Sequence, residues 1–212
     1  MVIYNADGSR PEACGNGLRC VGWHLTRESG GEVQKIETDA GLRRVEISRI
    51  GTEIALLLAE MGRAERFPLA SPLCPEAEGL AATGVRIGNP HCVIRVEDER
   101  GVAVDQIGRA MQSHPDFPRG VNVGFLCQRE DRWNLRVWER GVGETAACGT
   151  GACAAAAWVG DRGSETTIEM RGGRLVVRRD QEDRYFLFGE AVHHGSVDLE
   201  VAVHDSASMP GG

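Results

Sequence analysis

Residues 147–159 read Ala147-Cys148-Gly149-Thr150-Gly151-Ala152-Cys153-Ala154-Ala155-Ala156-Ala157-Trp158-Val159, a glycine turn running into a segment with no polar face. A helix that is apolar all round must be buried on every side, and a sheet wrapped around it would bury it. The same turn occurs near the start of the chain. Ala13-Cys14-Gly15-Asn16-Gly17 matches Ala147-Cys148-Gly149-Thr150-Gly151 at an offset of 148 − 14 = 134 residues. The first copy also leads into a helical pattern, with Leu18, Val21 and Leu25 on one stripe that stops at Gly30-Gly31. The repeated unit thus places a cysteine and its glycine turn at the start of each of two helices.

Alternating and apolar runs around these units read as strands. They are Arg44 to Ser48, Glu53 to Met61, Val85 to Ile87, Cys92 to Val96, Val121 to Cys127 and Trp133 to Glu139, then Thr166 to Met170, Leu175 to Arg178 and Tyr185 to Phe188. Met1 to Tyr4 reads as strand interior, and Glu32 to Glu37 as a polar strand entry. Gly172-Gly173 suits a hairpin turn. A short helix is expected over Val104 to Gln112, with Asp105 near its start. Many strands and few helices, without strict alternation, give an α+β fold. The tail from Asp205 to Gly212 is rich in small residues and expected to fray.

Composition narrows the function. The chain has 212 residues, 42% hydrophobic and 26% charged, which is ordinary for a globular protein. A net charge of −7 argues against nucleic acid or an anionic membrane surface as partner, and leaves open a small cationic or zwitterionic substrate. No apolar run approaches a membrane span and no signal-peptide pattern is present, so the cytoplasm is the expected location. Of the 24 lysines and arginines, Lys35 alone is lysine, and no phosphate cradle lies near it. Pyridoxal chemistry, which needs a Schiff-base lysine, is therefore not expected. The seven cysteines, Cys14, Cys20, Cys74, Cys92, Cys127, Cys148 and Cys153, lack both a disulfide framework and metal-ligand spacing. Free thiols are expected, with no cofactor and no metal.

A cysteine at a helix start has its thiolate stabilised by the macrodipole and by unpaired backbone N–H groups, which lowers its pKa toward neutrality. The same N–H groups can hold a carboxylate. One such motif is as readily a packing cysteine at a glycine turn. Two matched copies favour chemistry, with Cys14 and Cys148 as reactive thiols and the other five as packing residues. Two sulfurs facing one carbon suit a two-base reaction: one thiolate removes the Cα proton and the opposite thiol delivers another to the other face. With no electron sink, the carbanion would rely on oriented N–H donors and exclusion of water.

Several segments resemble diaminopimelate epimerases: Asn5-Ala6-Asp7-Gly8-Ser9, Ala13 to Cys20, Gly88-Asn89-Pro90-His91-Cys92-Val93, Val121-Asn122-Val123-Gly124-Phe125 and, above all, Glu139 to Cys153. The resemblance implies two pseudo-symmetric domains, each a mixed or antiparallel sheet curled around a central helix, with the site in the cleft between them. It implies cofactor-independent interconversion of LL- and meso-diaminopimelate, on the route to lysine and peptidoglycan, by a homodimer. At matching positions, Cys14 and Cys148 are the acid–base pair, and Gly15, Asn16, Gly149 and Thr150 bind the α-carboxylate. Asn5, Asn122 and Arg140 hold the distal carboxylate and Glu139 the distal ammonium, while Asn89 and His91 line the reacting end. Arg140 offers a bidentate fork that suits a carboxylate.

Family members also carry an N-terminal Gly-Asn-Asp-Phe motif, the symmetry mate of Gly88 to His91, and this sequence lacks it. The expectation is an incomplete first domain over residues 1–69, a second over 70–189, a return segment over 190–204 and a flexible tail over 205–212, with activity impaired. Three other readings stay open: a proline or hydroxyproline racemase of the same fold, an inactive ligand-binding fragment, and a thiol redox sensor in which Cys14 and Cys148 form a disulfide.

Overall fold

The computed structural model describes residues 1–5, 7–51 and 53–197. The expected tail over 205–212 and the later part of the return segment lie outside the described residues. Helix α1 spans Gly15–Ser29, and the strands that follow it are β1 (Val33–Thr38), β2 (Gly41–Ile50) and β3 (Ile54–Arg63). Then come β4 (Glu65–Phe67), β5 (Ala82–Ile87), β6 (Asn89–Arg95), helix α2 (Val104–Met111), β7 (Asn122–Arg129), β8 (Arg132–Glu139) and β9 (Gly143–Thr145). Helix α3 spans Gly149–Val159, followed by β10 (Glu165–Met170), β11 (Gly173–Arg179) and β12 (Arg184–Val192).

The internal repeat in sequence is a repeat in structure. Each glycine turn starts a helix, each helix is followed by a two-residue hairpin, and a third strand closes the unit. The hairpins even share their register, with Thr38 opposite Gly41 and Met170 opposite Gly173. The third strands of the two units, β3 and β12, pair antiparallel from Arg184 opposite Arg63 to Val192 opposite Ile54. This pairing makes one sheet in the order β1-β2-β3-β12-β11-β10-β8-β7-β6-β5-β4, with β9 attached to β8. The fold is α+β with few helices.

Helix α3 has the environment its composition demands. Residues 149–157 are all buried, and strands from β5, β6, β7, β8, β10, β11 and β12 surround it. Alanine's small side chain lets strands approach a helix closely from several directions. Helix α1 rests on β1, β2, β3 and β12 through Leu18 and Trp23. Beyond the other face of the sheet, α2 buries Val104, Ile107 and Met111 against Cys92, Ile94, Val123, Phe125 and Trp138. Strands β6 and β7 are parallel and covered on both faces, which accounts for their nearly unbroken burial.

Two sequence expectations need correction, and two short strands were not foreseen. Met1 to Asn5 forms no strand. Met1 packs against the core and its amino group donates to the Glu37 carbonyl at 2.6 Å, while Val2 and Tyr4 are exposed and Ile3 turns to the cleft. Alternation is satisfied there by one-sided burial, without a paired strand. Strand β12 runs well past Phe188 because Gly189 to Val192 continue the pairing with β3. The three-residue strands β4 and β9 are too short to show any periodicity.

Helices α1 and α3 meet at their N-termini, on top of Leu187 of β12. A Cβ on Gly15 would lie 2.7 Å from Leu187 Cδ2 and 3.4 Å from Gly149 Cα; a Cβ on Gly149 would lie 2.6 Å from the same methyl and 3.3 Å from Gly15 Cα. A side chain at either position would press on Leu187 and crowd the opposing helix start. Leu187→Ala removes the fully buried floor shared by both helix starts, and is expected to cost about 2–5 kcal/mol. Urea unfolding checks this; a loss below about 1 kcal/mol would contradict the placement.

Candidate active site

Cys14 and Cys148 occupy equivalent positions. Cys14 is the N-cap of α1 with φ −139° and ψ 105°, and Cys148 is the N-cap of α3 with φ −133° and ψ 111°. Because the two helix starts touch, the cysteines border a single cleft of about 90 Å³. Eleven of the residues singled out from sequence line that cleft: Asn5, Cys14, Gly15, Asn16, Asn89, Asn122, Glu139, Arg140, Cys148, Gly149 and Thr150. His91 does not. It is buried beneath, in β6 opposite Asn122 of β7.

Asn89 ties the two cysteine loops together. Its Oδ1 accepts from the backbone N–H groups of Glu12 and Ala13 at 3.0 and 3.3 Å. Its Nδ2 donates to the Ala13 carbonyl at 2.9 Å and to Thr150 Oγ1 at 3.4 Å. The preceding Gly88 has φ +67°, and a Cβ there would meet Ala13 Cβ at 2.8 Å, so glycine brings β6 against the Cys14 loop. Farther along the cleft, Asn122 Oδ1 accepts the Arg140 backbone N–H at 2.8 Å and Asn5 Nδ2 donates to the Arg140 carbonyl at 3.4 Å. Asn16 Oδ1 accepts from the buried Arg19 guanidinium at 2.9 Å.

The two sulfurs differ in their surroundings. Cys14 Sγ accepts the Gly17 backbone N–H at 3.3 Å. Cys148 Sγ donates to Glu139 Oε2 at 3.2 Å and lies 3.5 Å from Thr150 Oγ1. Burial pushes the Cys148 thiol well above its ordinary range, and the Glu139 carboxylate adds to the rise; the Thr150 hydroxyl and Gly151 N–H oppose it more weakly. The expected lowering of its pKa is thus reversed, because desolvation and a neighbouring anion outweigh a helix start. Cys148 rests as a thiol. Cys92 and Cys153, buried and away from the cleft, are each pushed up to about 12 by burial, in keeping with a packing role. Cys20 is exposed.

Glu139 Oε1 also accepts Thr145 Oγ1 at 2.6 Å, so the carboxylate is held from two sides. Glu12 went unrecognised in the sequence: its carboxylate accepts from Arg140 Nη2 at 2.6 Å across the cleft wall. Its position two residues before Cys14 was the available signal, but nothing in the motif says what it pairs with. No group of three or more His, Cys, Asp or Glu that could hold a metal ion occurs among the described residues. No helix among the described residues is long and apolar enough to cross a membrane.

Residues 83–197 match the family described as diaminopimelate epimerase. A diaminopimelate epimerase from Synechococcus elongatus is 38% identical over 95% of this chain and 78% of its own length. One from Moorella thermoacetica is 39% identical over 91% of this chain and 76% of its own length. A crystal structure of a probable proline racemase from Agrobacterium radiobacter, with bound carbonate, superposes with a TM-score of 0.72 over 94% of this chain and 71% of that one, at 17% identity. That likeness is one of fold.

Two outcomes follow from the electrostatics. Glu139→Gln removes an anion that raises Cys148, so alkylation of Cys148 by iodoacetamide at pH 8 should become faster, as read by mass spectrometry; an unchanged or slower rate would contradict the assignment. Burial, with a smaller contribution from Arg140, lowers the His91 imidazole from 6.5 to about 3. Between those values the unfolded chain binds a proton that the folded chain refuses. Stability therefore holds above about pH 6.5 and falls as the pH drops toward 3, by up to about 1.4 kcal/mol per pH unit. His91→Gln should flatten this slope between pH 6.5 and 5 in denaturant titrations, and an identical slope would contradict it.

Proposed function

The chain belongs to the diaminopimelate epimerase family, and from that premise we propose that it interconverts LL- and meso-diaminopimelate by proton transfer between Cys14, the substrate Cα and Cys148. One observation carries this reading: each cysteine caps one of two helices whose first glycines are in contact. A carbon placed between the sulfurs would present opposite faces to them.

The chemistry follows from what surrounds that carbon. The α-carboxylate takes hydrogen bonds from the backbone N–H groups of Gly15, Asn16, Gly149 and Thr150, where two helix dipoles add. As the Cα proton leaves, negative charge spreads onto this carboxylate, and the same fixed donors stabilise it more strongly than the ground state. The burial of Cys148 excludes water from that side. In one direction the Cys14 thiolate takes the proton and becomes a thiol, while the Cys148 thiol gives its proton to the opposite face and becomes a thiolate. The centre is inverted and the two sulfurs have exchanged protonation states. The reverse direction uses the same pair in opposite roles.

At the far end, Arg140 binds the distal carboxylate as an ionic fork, with Asn5 and Asn122 fixing its backbone. Glu139 takes the distal ammonium. Because Glu139 also accepts from Cys148, binding of that ammonium bears on the thiol. His91 supports β6 and β7 from below. The same reading includes a homodimer, as the family resemblance implies, and a cytoplasmic location, where two catalytic thiols stay reduced.

The test is direct. Folded, reduced protein should convert LL-diaminopimelate to meso-diaminopimelate, resolved by chromatography. Cys14→Ser and Cys148→Ser should each lose at least about a hundredfold in kcat, the range expected when a positioned acid or base is removed. Proline, which has no second amino-acid head for Glu139 and Arg140, should not be racemised. Absence of any interconversion would overturn the proposal, and turnover of proline alone would favour the racemase reading.

A further inference from the structure

Arg140 is held in an unusual way for a residue assigned to recognise a ligand. Asn5 and Asn122 bond only its backbone carbonyl and N–H. The direction of its side chain is set by two contacts: Nη1 donates to the Arg119 carbonyl at 3.3 Å, and Nη2 donates to Glu12 Oε2 at 2.6 Å. Glu12 is its one ionic partner among the described residues. The pair is largely shielded, with side chains 18% and 26% exposed, so it is much less screened than a surface ion pair.

Glu12 is itself fixed to the reacting end. Its backbone N–H donates to Asn89 Oδ1, the atom that also takes the Ala13 N–H, and Cys14 follows directly. The ion pair therefore joins the loop carrying Cys14 to the end of β8, 128 residues away in sequence. A guanidinium has five N–H donors. Among the described residues two are used, by Glu12 and Arg119, and Arg140 lines the cleft, which leaves further donors for a second carboxylate.

We infer that Glu12 is a positioning residue that aims the Arg140 guanidinium into the cleft and so sets the enzyme's preference for an α-amino acid with a second, distal carboxylate. This rests on the diaminopimelate reading above. Glu12 touches no reacting atom. It fixes the distance from the Cys14 loop to the far carboxylate anchor, and with it the length of substrate that reaches both. Glu12→Gln keeps the volume and an acceptor oxygen but drops the charge, and Glu12→Ala drops both.

Steady-state kinetics and calorimetric binding of diaminopimelate are measured for the wild type, Glu12→Gln, Glu12→Ala, Arg140→Ala and the Glu12→Ala/Arg140→Ala double variant. Lysine, which is diaminopimelate with one carboxylate replaced by hydrogen, serves as a competing ligand that cannot use Arg140. For Glu12→Ala, KM and Kd for diaminopimelate should rise about tenfold or more, with kcat within about threefold, and Glu12→Gln should fall between it and the wild type. Weak inhibition by lysine should stay unchanged. The double variant should match Arg140→Ala within about twofold, because Glu12 acts through Arg140. Unchanged KM and Kd, additive effects in the double variant, or equal weakening of lysine and diaminopimelate would each overturn the inference. A wild type that neither binds nor converts diaminopimelate would instead overturn the functional reading beneath it.

Discussion

Everything in the site depends on the contact between Gly15 and Gly149. Two helices end face to face with no side chain between them, because a methyl group at either position would strike Leu187 and crowd the opposing backbone. Helix N-termini repel one another electrostatically, so this arrangement has to be imposed by the rest of the molecule. The β3–β12 pairing, the buried alanines of α3 and the bonds of Asn89 to both cysteine loops supply that constraint. What results is a concentration of unpaired N–H donors and partial positive charge at one point. An anion placed there relieves the repulsion.

The halves are alike in backbone and unlike in electrostatics. Both cysteines have nearly the same φ and ψ, and both precede the same hairpin unit. Yet Cys14 accepts a hydrogen bond from a backbone N–H while Cys148 donates one to a carboxylate. A symmetric scaffold thus carries an asymmetric pair, one sulfur bonded to a backbone N–H and the other to a carboxylate. A two-base inversion needs one thiolate and one thiol at the start of each turnover.

Much of this was legible in the sequence. The 134-residue repeat announced two matched cysteine turns at helix starts, and the polar-free run Ala152 to Ala157 announced a helix enclosed by strands. Most of the residues that line the cleft were legible because short segments of the sequence resemble diaminopimelate epimerases. Other features depend on distance in space. The direction of the Cys148 shift follows from burial and from Glu139 nine residues earlier, and the helix-start rule captures neither. Glu12 was invisible because its partner lies 128 residues away. Met1 to Tyr4 misled because one-sided burial and strand alternation leave the same pattern. β4 and β9 carry too few residues to show any pattern.

The central claim is that two thiols address opposite faces of one carbon. The fate of hydrogen in early turnover tests it most directly. With pure LL-diaminopimelate in deuterium oxide, stopped at low conversion, two-base transfer places deuterium at Cα of the meso product while recovered LL substrate keeps its protium. Deuterium appearing in the recovered substrate as fast as in the product would mean one group serves both faces, and would contradict the account.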